Sequence, residues 1–255
     1  MTHGPKNSVQ IYVINLDRST DRLAQISQQL AAHQLAFERI AAVDGKQASP
    51  AQQALLDEEA YQRLHGKSSL PGELGCYLSH VNAIQAFLET DKKYAVVLED
   101  DAILQPEFAS LINSLVDHAE DWDMVKLSGV HSGTPVSVLP LFSNHDLCVM
   151  FSKCTCSSAY ILNRKAANAY AKGLLPMVLP YDHEFDKGWK YDIKVRALRP
   201  FPVTHNESAA TTIVAPVAVR RKLPGLQRLP AHMYRLKTEF ARLRYALRQY
   251  IAAQR

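Results

Sequence analysis

The segment that most constrains this chain is YAVVLEDDAIL, residues 94–104, in which five apolar residues run straight into Glu99, Asp100 and Asp101. An apolar run of this length, bounded by polar residues, is a strand. Adjacent carboxylates repel, so clustering them costs stability unless a cation is bound or a proton is retained. Open α/β sheets bind ligands beyond the carboxyl ends of their strands, which is where this cluster falls. Oxygen ligands of this kind suit Mg²⁺ or Mn²⁺, either of which can bridge to a nucleotide diphosphate. A strand ending in a solvated acidic turn has the same sequence, so the segment alone leaves both readings open.

Strand and helix signals alternate around it. VQIYVIN (9–15) reads as a strand, followed by a helix starting near Ser19. AFERIAAVDG (36–45) reads as a short strand with a turn at Asp44-Gly45, and residues 48–65 as a helix with Pro50 in its first turn. Residues 66–73 are a loop, 74–90 a strong helix and WDMVKLSG (122–129) a further strand. Residues 130–150 look irregular, and 157–174 read as strand, Asn-Arg turn and helix. YDHEFDKGWKY (181–191) reads as a short polar helix or loop before a last strand at 193–200. This alternation predicts an α/β fold built on one sheet.

With 255 residues, 47% of them hydrophobic, the chain can bury a core without staples. Cys76, Cys148, Cys154 and Cys156 are too sparse for a disulfide framework, and reduced thiols are expected. His145 with Cys148, Cys154 and Cys156 fits no standard zinc spacing. No run of about 18 uncharged apolar residues is present, so no spanning helix is expected. The N-terminal segment lacks a signal-peptide pattern, and none is expected.

Charge is uneven. Residues 220–255 carry ten Lys/Arg against one acid, Glu239, whereas residues 1–219 carry 19 Lys/Arg against 24 acids. In the basic segment Leu229, Met233, Leu236, Phe240, Leu243, Leu247 and Ile251 recur at helical spacing, with Arg235, Lys237, Arg242, Arg244 and Arg248 on the other faces. A basic amphipathic helix suits an anionic membrane surface. The alternative is a helix that packs its apolar stripe on the domain. No nucleic-acid-binding motif accompanies the cations, and no nucleic-acid partner is expected.

Four segments in order, IYVINLDRSTDR (11–22), ELGCYLSHVNAI (73–84), VVLEDDAIL (96–104) and CSSAYILNRKAA (156–167) with YDHEF (181–185), resemble glycosyltransferase family 25. That family comprises bacterial lipopolysaccharide and lipooligosaccharide glycosyltransferases and relatives that include collagen galactosyltransferases. The resemblance spans roughly residues 9–213, with FPVTHNESAATTI (201–213) its least similar part. It implies a single glycosyltransferase A-type nucleotide-sugar-binding domain over residues 1–219, with a Rossmann-like mixed sheet, and a basic amphipathic helical tail over 220–255. It further implies transfer of a hexose, galactose or glucose, from a UDP-sugar to a lipid-linked oligosaccharide core with inversion. Work at the cytoplasmic face of the inner membrane is implied as well.

On this resemblance Asp101, Glu99 and His205 hold Mn²⁺ or Mg²⁺. Asn15, Arg18, Arg22, Asp44, Ser79, His80 and Asp100 bind the donor. At a strand end and helix start, cations and backbone N–H groups suit phosphates, which supports Asn15, Arg18 and Arg22 independently. Asp182 is the expected general base, with Glu184 and Asp186 as rivals. Arg164 and Cys76 are expected to be structural. Two other functions remain open, a metal-dependent phosphoesterase and a non-catalytic nucleotide-sugar or membrane-binding module.

Overall fold

The computed structural model describes residues 7–130, 133–205 and 222–254, with His205 described through its backbone only. Among these residues, eight strands form one mixed sheet. They are β1 (Val9–Asn15), β2 (Glu38–Ala41), β3 (Tyr94–Glu99), β5 (Met124–Lys126), β6 (Pro135–Pro140), β7 (Asp146–Met150), β8 (Ala159–Asn163) and β9 (Val195–Arg199). Their spatial order is β2-β1-β3-β8-β5-β9-β7-β6. β4 (Ala102–Leu104) pairs antiparallel with β10 (Val203–His205) as a separate ribbon.

The apolar runs are continuous because both faces of the sheet are covered. Ile11, Val13, Val96 and Leu98 point to one side, against α1 (Thr20–Ala32) and α5 (Phe108–Asp117). Tyr12, Ile14, Ala95 and Val97 point to the other, against α4 (Pro71–Leu88) and α6 (Arg164–Gly173). Strand alternation thus feeds two cores.

β1, β2 and β3 are parallel, and the register sets Ile14 beside Glu99. β8 enters antiparallel between β3 and β5, with Ala159 beside Leu98, so its start lies at the same edge as the ends of β1 and β3. The α/β class and the mixed sheet are as expected.

Three segments differ from the sequence reading. Residues 48–65 form two helices, α2 (Pro50–Gln53) and α3 (Glu58–His65), because a second N-cap, Asp57, accepts from the Ala60 N–H. Residues 130–150 contain the β6–β7 hairpin. Its pattern is hidden by Pro135, Pro140, a register shift between Ser137 and Leu139, and left-handed residues at Ser143 and Asn144. A proline-bearing strand is tolerated there because β6 is at the edge of the sheet. The polar segment 181–191 folds as α7 (Tyr181–Glu184) and α8 (Gly188–Tyr191), yet Glu184, Asp186 and Lys187 are buried.

The C-terminal helix α9 (Leu229–Ala253) lies on the domain the other way round from an ordinary amphipathic helix. Its inward face carries Ala231, Tyr234, Arg242, Tyr245 and Ala246. The Arg242 guanidinium donates to both Asp186 oxygens at 3.1 and 3.3 Å and lies over the Trp189 ring. The Tyr245 hydroxyl donates to the Ile193 carbonyl and accepts from the Val195 N–H. The seven aliphatic and aromatic residues of the predicted stripe are all exposed, Phe240 at 66% and Met233 at 60%. The packing alternative for the stripe is therefore incorrect, because polar and aromatic anchors dock the opposite face.

Truncating one partner of a buried ion pair leaves the other charge uncompensated, at a cost of about 3–5 kcal/mol. Arg242→Ala is therefore expected to lower unfolding stability by that amount. Phe240→Ala, on the exposed face, should stay within about 0.5 kcal/mol. Urea denaturation of the two variants checks both values.

Candidate active site

The carboxyl ends of β1, β2 and β3 open into a cleft. Among its lining residues are Arg18, Arg22, Asp44, Ser79, His80, Glu99, Asp100 and Asp101, so the structure brings together eight residues from four separate sequence segments. Two glycines permit this closeness. A Cβ on Gly75 of α4 would run into the Val43 carbonyl, and one on Gly45 into that of Pro71. The helix and the loop after β2 therefore touch backbone to backbone.

The three adjacent carboxylates have different surroundings. Asp100 accepts from Asn15 Nδ2 at 2.7 Å and pairs with Arg22 at 3.3 Å. Glu99 accepts from Ser157 Oγ at 3.3 Å and lies 3.2 Å from His80 Nε2. Asp101 lines the cleft beside them. Arg18 pairs with Asp44 across the rim. A slight desolvation of Asp44 is outweighed by the Lys46 N–H and the Arg18 guanidinium, which hold its carboxyl below the ordinary range.

Three of the expected donor-binding side chains are already used by the protein. Asn15 is buried, donates to Asp100 and the Ser19 carbonyl, and accepts from Arg39. Ser79 donates to the Gly75 carbonyl at 2.6 Å and accepts from the Val43 N–H at 2.9 Å. His80 is 1% exposed, stacks on Tyr181 at 4.2 Å and is bonded to Tyr160 and Glu99. These residues position Asp100, the loop after β2 and Glu99, while Arg18 and Arg22 line the cleft in ion pairs with Asp44 and Asp100.

A second chamber adjoins the first through Cys76 and Glu99. It holds three carboxylates. Glu73 is taken by the Tyr61 hydroxyl and the Leu70 N–H, and Glu99 is bonded as above. The third is Asp182, carried by α7, which the Phe185–Tyr181–His80 stack fixes against α4. Burial, the largest influence, pushes the Asp182 carboxyl above its ordinary range, against the pull of Lys126, Lys153 and the Cys156 N–H. A raised carboxylate is suited to accepting a proton.

Its rivals do other work. Glu184 is 1% exposed and bonds Lys187 at 2.5 Å, Lys190, and Tyr191 at 3.0 Å. Asp186 is committed to Arg242. Burial works against both, yet these cations hold both carboxyls below the ordinary range. Both are held as ion-paired carboxylates inside the domain.

The hard oxygens of Glu99 and Asp101, facing one cleft, fit a divalent cation such as Mn²⁺ or Mg²⁺. The backbone of His205 pairs opposite Ala102, one residue beyond Asp101, and its side chain lies outside the described residues. Cys76, His80 and Glu99 also offer three ligand atoms within 4.8 Å of one another. Within that set His80 bonds Glu99, and burial pushes the Cys76 thiol well up. Cys76 is not simply packing, because it lines both chambers. Arg164 is structural as expected, donating to the Leu88, Thr90 and Lys92 carbonyls at the end of α4.

Sequence reasoning missed Lys126, whose buried amine donates to the Cys154 and Cys156 carbonyls at 2.6 and 2.8 Å. The visible signal is a lysine inside the apolar strand MVKL. It fixes the loop whose Cys156 N–H reaches Asp182.

The family described as glycosyltransferase family 25 (LPS biosynthesis protein) matches residues 8–185. The chain belongs to glycosyltransferase family 25. It is 29% identical over 124 residues to procollagen galactosyltransferase 1 of Danio rerio, a match covering 46% of this chain and 20% of that protein. It is 30% identical over 129 residues to a glycosyltransferase 25 family member of Anopheles gambiae, covering 45% and 21%. A probable inactive glycosyltransferase 25 family member 3 of Bos taurus is 26% identical over 126 residues, covering 46% and 21%. The matches span about a fifth of the length of these curated relatives.

An acid whose folded-state pKa lies above its unfolded value binds more protons when folded, so stability falls as pH rises through that interval. Asp182→Asn removes the penalty. The variant is expected to melt above the wild type at about pH 7, with the gap closing once pH falls below about 4, the ordinary aspartate value. Thermal melts across that range check the sign.

Proposed function

We propose that this chain transfers a hexose, galactose or glucose, from a UDP-sugar to a hydroxyl of a lipid-linked oligosaccharide core, with inversion. The observation that carries the reading is the pair of chambers meeting at Cys76 and Glu99, one lined by Arg18, Arg22 and the acidic cluster, the other holding Asp182. Arg18 and Arg22 match the charge of a diphosphate, and the turn at Asp44–Lys46 offers polar backbone to the nucleoside. A divalent cation held by Asp101 and Glu99 would neutralise the charge growing on the departing diphosphate. Asp182 accepts the proton of the attacking hydroxyl from the second chamber. His80 and Ser157 hold Glu99 at the junction, and Asn15 and Arg22 hold Asp100 away from it.

Calorimetric titration with UDP tests the donor site. Binding is expected to require Mn²⁺ and to be lost in Asp101→Ala. Asp182→Asn is expected to retain UDP binding while transfer falls by about 10²–10⁴-fold. Absence of UDP binding with any divalent metal overturns the reading, and release of free sugar without transfer points to a hydrolase instead.

In the same reading the chain works peripherally at the cytoplasmic face of the inner membrane, with α9 against anionic lipid. The support is the outward apolar stripe flanked by exposed Lys237, Arg244 and Arg248. No helix among the described residues is long and apolar enough to cross a membrane. Flotation with phosphatidylglycerol vesicles is expected to carry the wild type. The Leu236→Ser, Phe240→Ser, Leu243→Ser triple variant should bind at least about tenfold more weakly, given about 1.5–3 kcal/mol for burying each such side chain. Equal flotation of the two proteins overturns the membrane role.

A further inference from the structure

A third cavity continues from the Asp182 chamber, sharing His65, Lys67 and His183 with it. Its far wall is α9, contributing Tyr234, Arg235, Thr238, Glu239 and Arg242. The cavity collects five cations, Lys67, Lys153, Lys187, Arg235 and Arg242, against one lining carboxylate, Glu239. Lys187 and Arg242 are neutralised from behind by Glu184 and Asp186. Arg235 donates Nη2 to the His65 carbonyl at 2.8 Å, while no ion pair or hydrogen bond among the described residues engages Lys153. Cations therefore outnumber carboxylates along the cavity's own lining, and Asp182 lies 3.9 Å from His183 on the side shared with the second chamber.

Two histidines, His65 and His183, lie in the cavity lining. Their rings lie 5.3 Å apart, edge to face. Burial, then each other and the surrounding lysines and Arg235, pull His65 down to about 3; burial and then Lys153 pull His183 to about 3. Both imidazoles are neutral at ordinary pH, which leaves N–H groups to donate without adding charge. A half-buried lysine, an arginine fork and neutral imidazole donors around one cavity suit a tetrahedral oxyanion.

We propose that this cavity binds a phosphate group, carried by the acceptor beside the hydroxyl that faces Asp182. The identity of the carrier rests on the transferase reading; the phosphate site does not. Two sources have the same chemistry, a phosphate on the acceptor's soluble part and the headgroup of the lipid that α9 faces.

The probe is inorganic phosphate, followed through the imidazole ¹⁵N resonances of the full chain. Phosphate is expected to shift His65 and His183 saturably. Lys153→Met should weaken that response about tenfold, and Lys153→Arg should restore it. His80 reports the donor cleft, so phosphate or UDP binding there is read separately. A donor cleft that fails to bind UDP leaves this result standing. Circular dichroism melts confirm that Lys153→Met is folded. Phosphatidylglycerol vesicles separate the sources. Loss of both phosphate and vesicle binding in Lys153→Met assigns the site to a headgroup, and loss of phosphate binding alone assigns it to a soluble phosphate. No saturable shift at His65 or His183, or an identical response in Lys153→Met, overturns the proposal.

Discussion

Three consecutive carboxylates cannot all face one cavity as equals, and the way this chain divides them organises the rest of the site. Asp100 is drawn back by Asn15 and Arg22 at the end of β1. Glu99 is held sideways by His80 and Ser157. Asp101 lines the cleft alongside both of them. Each restraint comes from a different element, so β1, β3, α4 and the start of β8 must all be in register for the division to hold. The parallel pairing of β1 with β3 and the antiparallel insertion of β8 supply that register. The mixed topology brings strand ends and a strand start to one edge, which an all-parallel sheet could not do with these connections.

The same economy governs the second chamber. Charges that look interchangeable in YDHEFDKGWK are separated by their partners. Glu184 and Asp186 face inward and meet cations, whereas Asp182 lies in the chamber with its carboxyl raised by burial. Lys126 acts on this arrangement twice, by tethering the Cys154–Cys156 carbonyls and by drawing Asp182 back toward ionisation.

Much of this was legible in the residues. The apolar runs, the placement of the acidic cluster at a strand end and the gathering of Arg18, Arg22, Asp44 and His80 follow from pattern and motif order. What the sequence hid is which polar groups are already spent. Asn15, Ser79 and His80 read as ligands because their motifs sit at the cleft, and three-dimensional bonding shows their polar atoms engaged within the protein, Asn15 and His80 by side chains and Ser79 by backbone. The β6–β7 hairpin was hidden by its prolines. The orientation of α9 was hidden for another reason. Hydrophobic periodicity identifies a helix but not which face docks, and here Arg242, Tyr245 and Tyr234 outbid the aliphatic stripe for the domain surface.

That orientation has a geometric consequence. A helix of 25 residues is a rod of about 37 Å, and its outward stripe runs along most of its length. A body that rests on a plane along a line cannot pitch about the perpendicular axis, and can only roll about the rod or spin on the plane. Because Arg242 and Tyr245 clamp the rod to the segment carrying Asp182, such contact would present the chambers to the surface at one fixed pitch. Reach toward the plane would then be governed by the roll angle alone.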